Sequence, residues 1–252
     1  MFFTSFTSFT SFTSFVVSLQ LCGSVLNLKV LHKNNFKFKM ILLDQPQQPK
    51  NHKMIRIKKI INSIYRNDPA LKFVDLSNRN LTLSQIISLS EALKVNTSIL
   101  ELHMCYINFR KCDSSSGMKF LSEALKINNS LQVLWMCGNN LGNCPESMKF
   151  LSEALKVNIT IRKLYLTYNN FGNCPDPSGV KFLSEALKSN NTLQKLFLSC
   201  NNLGNCPEGM KFLSESLKVN TTLRTLCLNS NHHESDPRPL WINFPFRSSQ
   251  NQ

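Results

Sequence analysis

The sequence predicts an α/β solenoid, a right-handed stack of βα coils with parallel strands on its concave face and helices on its convex face. Three observations predict it. Lys-Phe-Leu-Ser-Glu-Ala-Leu-Lys occurs at 119–126, 149–156 and 181–188, and again at 211–218 with Ser216 in place of Ala. Units aligned on their first leucine-type residue start at Leu71, Ile99, Leu131, Ile161, Leu193 and Leu223, a spacing of 28 to 32 residues. Self-similarity at that period marks a stacked array. Within each unit an apolar/variable alternation, the period of a half-buried strand, gives way to an amphipathic helical pattern.

Four segments follow in order. Residues 1–50 read as low-complexity or weakly ordered: Phe-Thr-Ser triplets fill 3–15, and a strict triplet matches neither the helical nor the strand period. Residues 51–70 carry a capping helix, because Ile60, Ile61, Ile64 and Tyr65 precede Leu71 as Phe120, Leu121, Ala124 and Leu125 precede Leu131. A terminal unit must cover the apolar end of the stack. Residues 71–233 hold five full units and a final strand. Residues 234–252 are irregular: no helix follows the last strand, whose edge is a pairing hazard. Either Trp241, Phe244 and Phe246 fold back over it or the chain end is truncated.

Inside a unit, Leu131, Leu134, Met136 and Leu141 are the inward positions. Asn139, Asn169, Asn201 and Asn231 stand where the chain turns inward, so their amides are expected to form a ladder satisfying backbone groups. Arg79 and Ile107 replace the asparagine in the first two units, which makes that end ragged. On the helix, Phe150, Leu151, Ala154 and Leu155 form the apolar face and Lys149, Ser152, Glu153 and Lys156 the solvent face. Asn158 and its equivalents are expected to close each helix in the left-handed conformation that Asn tolerates.

Leu-x-x-Leu-x-Leu-x-x-Asn-x-Leu followed by a helix resembles a leucine-rich repeat of the ribonuclease-inhibitor-like class, over about residues 60–233. NOD-like receptors and the Ran GTPase-activating protein use the same class. The resemblance implies the fold, and it implies a small-GTPase regulator as the alternative function.

Charge is uneven. Residues 29–66 hold ten Lys/Arg against Asp44, a balance of +9, whereas 71–230 hold seventeen against eleven acids, a balance of +6. The first block reads as a solvated basic linker, with nucleic acid, an anionic membrane or an import receptor as the alternatives. No nucleic-acid module accompanies it. Residues 15–31 are apolar but lack a preceding Lys or Arg and a clean cleavage site, so secretion or membrane anchoring stays the alternative to a cytoplasmic protein.

Nine cysteines make no Cys-x-x-Cys pair, and Cys144, Cys174 and Cys206 are copies of one loop position. They read as small reduced residues, not as metal ligands. Asn-x-Ser/Thr triplets begin at Asn80, Asn96, Asn128, Asn158, Asn190 and Asn220, and five of these are by-products of the repeat. No Ser-His-Asp pattern, phosphate loop, metal cluster or carboxylate pair appears, so neither an enzyme nor a cofactor is expected.

The copies disagree at positions facing the concave side. The fifth position reads Asp75, His103, Trp135, Tyr165, Phe197, Cys227. Tyr106 and Tyr168 lie three positions further on, and Lys163 and Lys195 two positions before. His103, Trp135, Tyr165 and Phe197 should form a stripe about 14 Å long at the spacing of parallel strands. Aromatics are enriched at binding hot spots. The expected function is therefore a monomeric protein–protein interaction scaffold that grips a protein, not nucleic acid or membrane, through His103, Trp135, Tyr165, Phe197, Tyr106, Tyr168, Lys163 and Lys195.

Overall fold

The computed structural model describes residues 14–21, 24–31, 39–42, 50–107, 115–172 and 176–231, with side chains from 57 onward. The Phe-Thr-Ser tract up to residue 13, Cys112, Cys174 and the tail calls on Trp241, Phe244 and Phe246 lie outside them.

The chain divides into two units, Met1–Lys53 and Met54–Gln252. In the first, β1 (Ser14–Leu21), β2 (Ser24–Leu31) and β3 (Lys39–Leu42) form an antiparallel sheet in the order β1-β2-β3. Apolar residues at 17, 19 and 21 and at 26, 28 and 30 supply the period of two behind the first pair.

The second unit is the repeat array. Helix α1 (Lys50–Tyr65) supplies Ile57, Ile61 and Ile64 to the core. Tyr65 does not join them; it is exposed. Then β4 (Phe73–Asp75), β5 (Glu101–His103), β6 (Val133–Trp135), β7 (Lys163–Tyr165), β8 (Lys195–Phe197) and β9 (Thr225–Cys227) make a parallel sheet in sequence order. Between them run α2 (Leu83–Val95), α3 (Ser116–Ile127), α4 (Pro145–Val157), α5 (Ser178–Ser189) and α6 (Pro207–Val219), each packed on the next. Strands stack about 4.8 Å apart and helices about 8–10 Å, so the array curves with the sheet on its concave side.

The register never slips. Phe73, Glu101, Val133, Lys163, Lys195 and Thr225 form one row across the sheet, and Asp75, His103, Trp135, Tyr165, Phe197 and Cys227 another. The intervening Val74, Leu102, Leu134, Leu164 and Leu196 are buried beneath. Leu226 in β9 is only half-buried.

Asn139, Asn169, Asn201 and Asn231 are all buried. Asn169 is typical: its Oδ1 accepts from Asn139 N at 3.0 Å and Leu141 N at 3.2 Å, and its Nδ2 donates to Met136 O at 2.9 Å and Leu166 O at 3.0 Å. Asn139 in turn accepts from Ile107 N, so a coil without its own asparagine is still served by the next.

Two expectations need correction. The helix-closing asparagines are not left-handed: Asn96, Asn128, Asn158, Asn190 and Asn220 are extended, as Asn158 at φ −71°, ψ 129° shows. They form a second ladder. Asn158 Nδ2 donates to Leu125 O at 2.7 Å, and its Oδ1 accepts from Thr160 N at 3.0 Å and Ile161 N at 2.8 Å. The left-handed residues among those described are instead Asn67, Asn140, Asn170 and Asn202, and the turn row Asn78, Tyr106, Gly138, Tyr168, Cys200 and Ser230. Secondly, Ser122, Ser152 and Ser184 are buried between neighbouring helices rather than on the solvent face, and their hydroxyls have no hydrogen-bond partner. The small side chain is what close helix packing requires, and the next helix covers it. Ser214 in α6 is exposed.

Pro145 and Pro207 occupy the first helical position of α4 and α6, where a missing N–H costs nothing. The preceding Cys206 is buried and Cys144 half-buried, with Ser147 Oγ donating to Cys144 Sγ at 3.1 Å.

Candidate functional site

The odd positions of each three-residue strand face the concave side, because side chains alternate along a strand and the central leucine points inward. That alternation places the two variable rows side by side.

The aromatic row is a continuous stack. Trp135 and Tyr165 lie face to face, with centroids 3.5 Å apart and planes 3° apart. Tyr165 and Phe197 repeat this at 4.2 Å and 4°. His103 meets Trp135 tilted, at 4.8 Å, and takes the edge-on contact with Phe73 at 4.7 Å. Parallel in-register strands bring identical positions to about the spacing of stacked rings, so the repeat itself builds the column. Cross-strand aromatic pairs contribute roughly 0.2–1 kcal/mol each.

His103 is more buried than a solvent-facing position implies, at 9% exposure. Phe73 and Trp135 pack against its ring, and Glu101 meets its polar edge. Glu101 Oε1 accepts from Trp135 Nε1 at 2.9 Å and lies 2.7 Å from His103 Nε2. Glu101 is the site residue that sequence reasoning left out of the binding set. Its signal was its place in the variable third-position row, directly beside two ring N–H groups.

Lys163 and Lys195 are register partners in β7 and β8. The structure brings them together with Tyr165 and Phe197 on the same strands. Tyr106 and Tyr168 stand apart, at the turn beyond the strand. Both have left-handed backbone, at φ 55° and 59°, and both are exposed. A bulky residue rarely adopts that conformation, and such strain gathers at functional sites. Gly138 has the same turn conformation, and a Cβ there would run into the ring of Tyr106. The tyrosine thus lies over the glycine of the next coil.

Among the described residues, no group of three His, Cys, Asp or Glu side chains is placed to hold a metal. No described helix is long and apolar enough to cross a membrane.

No protein-family model matches the chain, and no curated protein matches it. Among solved structures, the chain is similar to the C-terminal domain of a Caenorhabditis elegans tropomodulin. The identity is 22%, over 65% of this chain and 92% of that chain, at a TM-score of 0.51. A second similar structure is actin-binding site 2 of leiomodin-1, 20% identical over 69% of this chain and 79% of that chain, at a TM-score of 0.40. The first likeness agrees with the observed alternation of parallel strands and helices: the fold is a leucine-rich-repeat solenoid of the ribonuclease-inhibitor-like class.

Proposed function

We propose that this leucine-rich-repeat solenoid is a protein-interaction scaffold whose concave strand face holds the partner. The stack of Trp135, Tyr165 and Phe197 carries the reading. Framework positions are nearly identical from coil to coil, whereas the large aromatics sit on the solvent side of the sheet, where the core does not need them. Aromatic side chains dominate interface energetics because they bury much area at low entropic cost. A curved sheet flanked by the exposed Tyr106 and Tyr168 offers an elongated cradle rather than a closed chamber, which suits a macromolecule better than a small substrate.

A photo-crosslinking residue at Val133, on the strand face, tests this against one at Lys211, exposed on α6. A partner adduct formed from position 133 and not from 211 supports the scaffold reading. Adducts from 211 alone overturn it. In parallel, Trp135→Ala/Tyr165→Ala should lose partner recovery while retaining far-UV circular dichroism.

A further inference from the structure

The strand face is polarised: its acids lie toward β4 and β5, and its bases toward β7 to β9. Residues 161–168, 193–200 and 223–230, which carry β7 to β9, contain Arg162, Lys163, Lys195 and Arg224 and no acid. At the other end the acids are engaged. Asp75 Oδ1 accepts from Ser77 N at 2.8 Å, and Glu101 holds Trp135 and His103.

Lys163 and Lys195 lie opposite each other on adjacent strands, an arrangement that repels. On the helices the array does otherwise: Lys94 pairs with Glu91, Lys126 with Glu123 and Glu153, and Lys156 with Glu185. No described carboxylate approaches Lys163 or Lys195 within ion-pair distance. Among the described residues these two like charges lie side by side without a counter-charge, and a ligand of opposite sign would relieve their repulsion.

The stack points to the same ligand. Tyr165 has both faces covered, by Trp135 and by Phe197. What the column shows outward is ring edges. An aromatic ring is negative on its face and positive at its edge. A column of edges beside two ammonium groups therefore attracts carboxylates and repels cations.

The two rows are separated by two residues along each strand, about 7 Å. A chain lying along them in extended form alternates its side chains, so one set meets the lysine row and the other the aromatic row. The basic block at 29–66 has the wrong sign to be this occupant, and a second copy docked face to face would set the same lysines against each other. We infer that the occupant is an extended acidic segment of another protein, with carboxylates on Lys163 and Lys195 and apolar side chains along the edges of Trp135, Tyr165 and Phe197. This rests on the strand face being the binding face.

The test is fluorescence anisotropy of the full chain with three labelled probes: an alternating Glu/Phe peptide, an alternating Lys/Phe peptide of equal length, and oligothymidylate. The Glu/Phe peptide should bind, and more weakly as salt rises. Lys163→Glu/Lys195→Glu should lose about tenfold or more of that affinity and gain affinity for the Lys/Phe peptide. Far-UV circular dichroism verifies that the variant is folded. Absence of Glu/Phe binding, equal binding of both peptides, or an unchanged affinity in the double variant overturns the inference. Tighter binding of oligothymidylate, lost in the double variant, overturns it in favour of nucleic acid. A position-133 adduct with a partner that survives the double reversal removes the acidic occupant but keeps the binding face; adducts from position 211 alone remove both.

Discussion

Trp135 donates its indole N–H to the carboxylate of Glu101, one strand away, at 2.9 Å. The same oxygen lies 2.7 Å from His103 Nε2, so one side chain orients two rings of the row. Glu101→Ala leaves the indole N–H without its acceptor and should cost about 1–2 kcal/mol. In a Trp241→Phe background, where Trp135 is the single tryptophan, its near-UV circular dichroism should weaken as the ring gains freedom. A variant with parental urea midpoint and parental near-UV signal would show that Glu101 orients nothing.

Asn169 is buried and serves backbone groups of two coils through Oδ1 and Nδ2. Removing it strands donors and acceptors where water does not reach. Asn169→Ala should destabilise the array by about 3 kcal/mol in urea unfolding, against about 0.5 kcal/mol or less for the exposed Asn191→Ala. Equal midpoints for the two variants would remove the ladder's structural role.

Ser152 carries a buried hydroxyl with no partner. Deleting it relieves a desolvation penalty and leaves a side chain that favours the helix. Ser152→Ala should therefore stabilise by about 1 kcal/mol. The exposed Ser214→Ala gains only the propensity part. A loss of stability at 152 would mean that the hydroxyl is satisfied after all.

Gly138 combines left-handed backbone with the Tyr106 ring above it. Gly138→Ala should cost about 1–2 kcal/mol from the backbone alone, with a steric contribution added. In a double-mutant cycle with Tyr106→Ala the two effects should be far from additive, because the steric part vanishes with the ring. Additive changes would refute the contact.

Asp176 has its carboxyl held below the ordinary value of 3.8, first by the Ser178 hydroxyl and then by the Ser178 N–H. A carboxylate lowered on folding adds stability that is present above 3.8 and lost as pH falls through the folded value. Ser178→Ala should move the Asp176 midpoint upward in an NMR titration, while the N–H bond keeps it from the full return. An unmoved midpoint would assign the shift elsewhere.

The coil was legible because repetition samples each position several times. Leu131, Leu134 and Met136 announce themselves as inward residues by recurring at fixed offsets, and all three are buried. What escaped are properties that belong to pairs of coils. The octapeptide serine looks polar and solvent-facing on a lone helix; only the neighbouring helix buries Ser152. Asn158 suits a left-handed cap when its own helix is considered, but its amide reaches Leu125 of the coil before, which requires extended backbone. Glu101 has no motif of its own. Its role arises because β6 sets Trp135 one strand away.

Both asparagine ladders reach backward. Asn231 serves Asn201 N and Leu198 O, and Asn220 serves Leu187 O and Asn190 O, all in the coil before their own. A coil is thus completed by its successor wherever these asparagines stand, which gives the array a polarity of dependence. Erosion started at the carboxyl end orphans polar groups in the coil newly laid bare, and so promotes its own advance. Erosion started at the amino end instead leaves the Oδ1 and Nδ2 of a side-chain amide reaching toward water, which can take both. Unravelling should run along this protein as a front with a preferred direction, set by which way two columns of amides point.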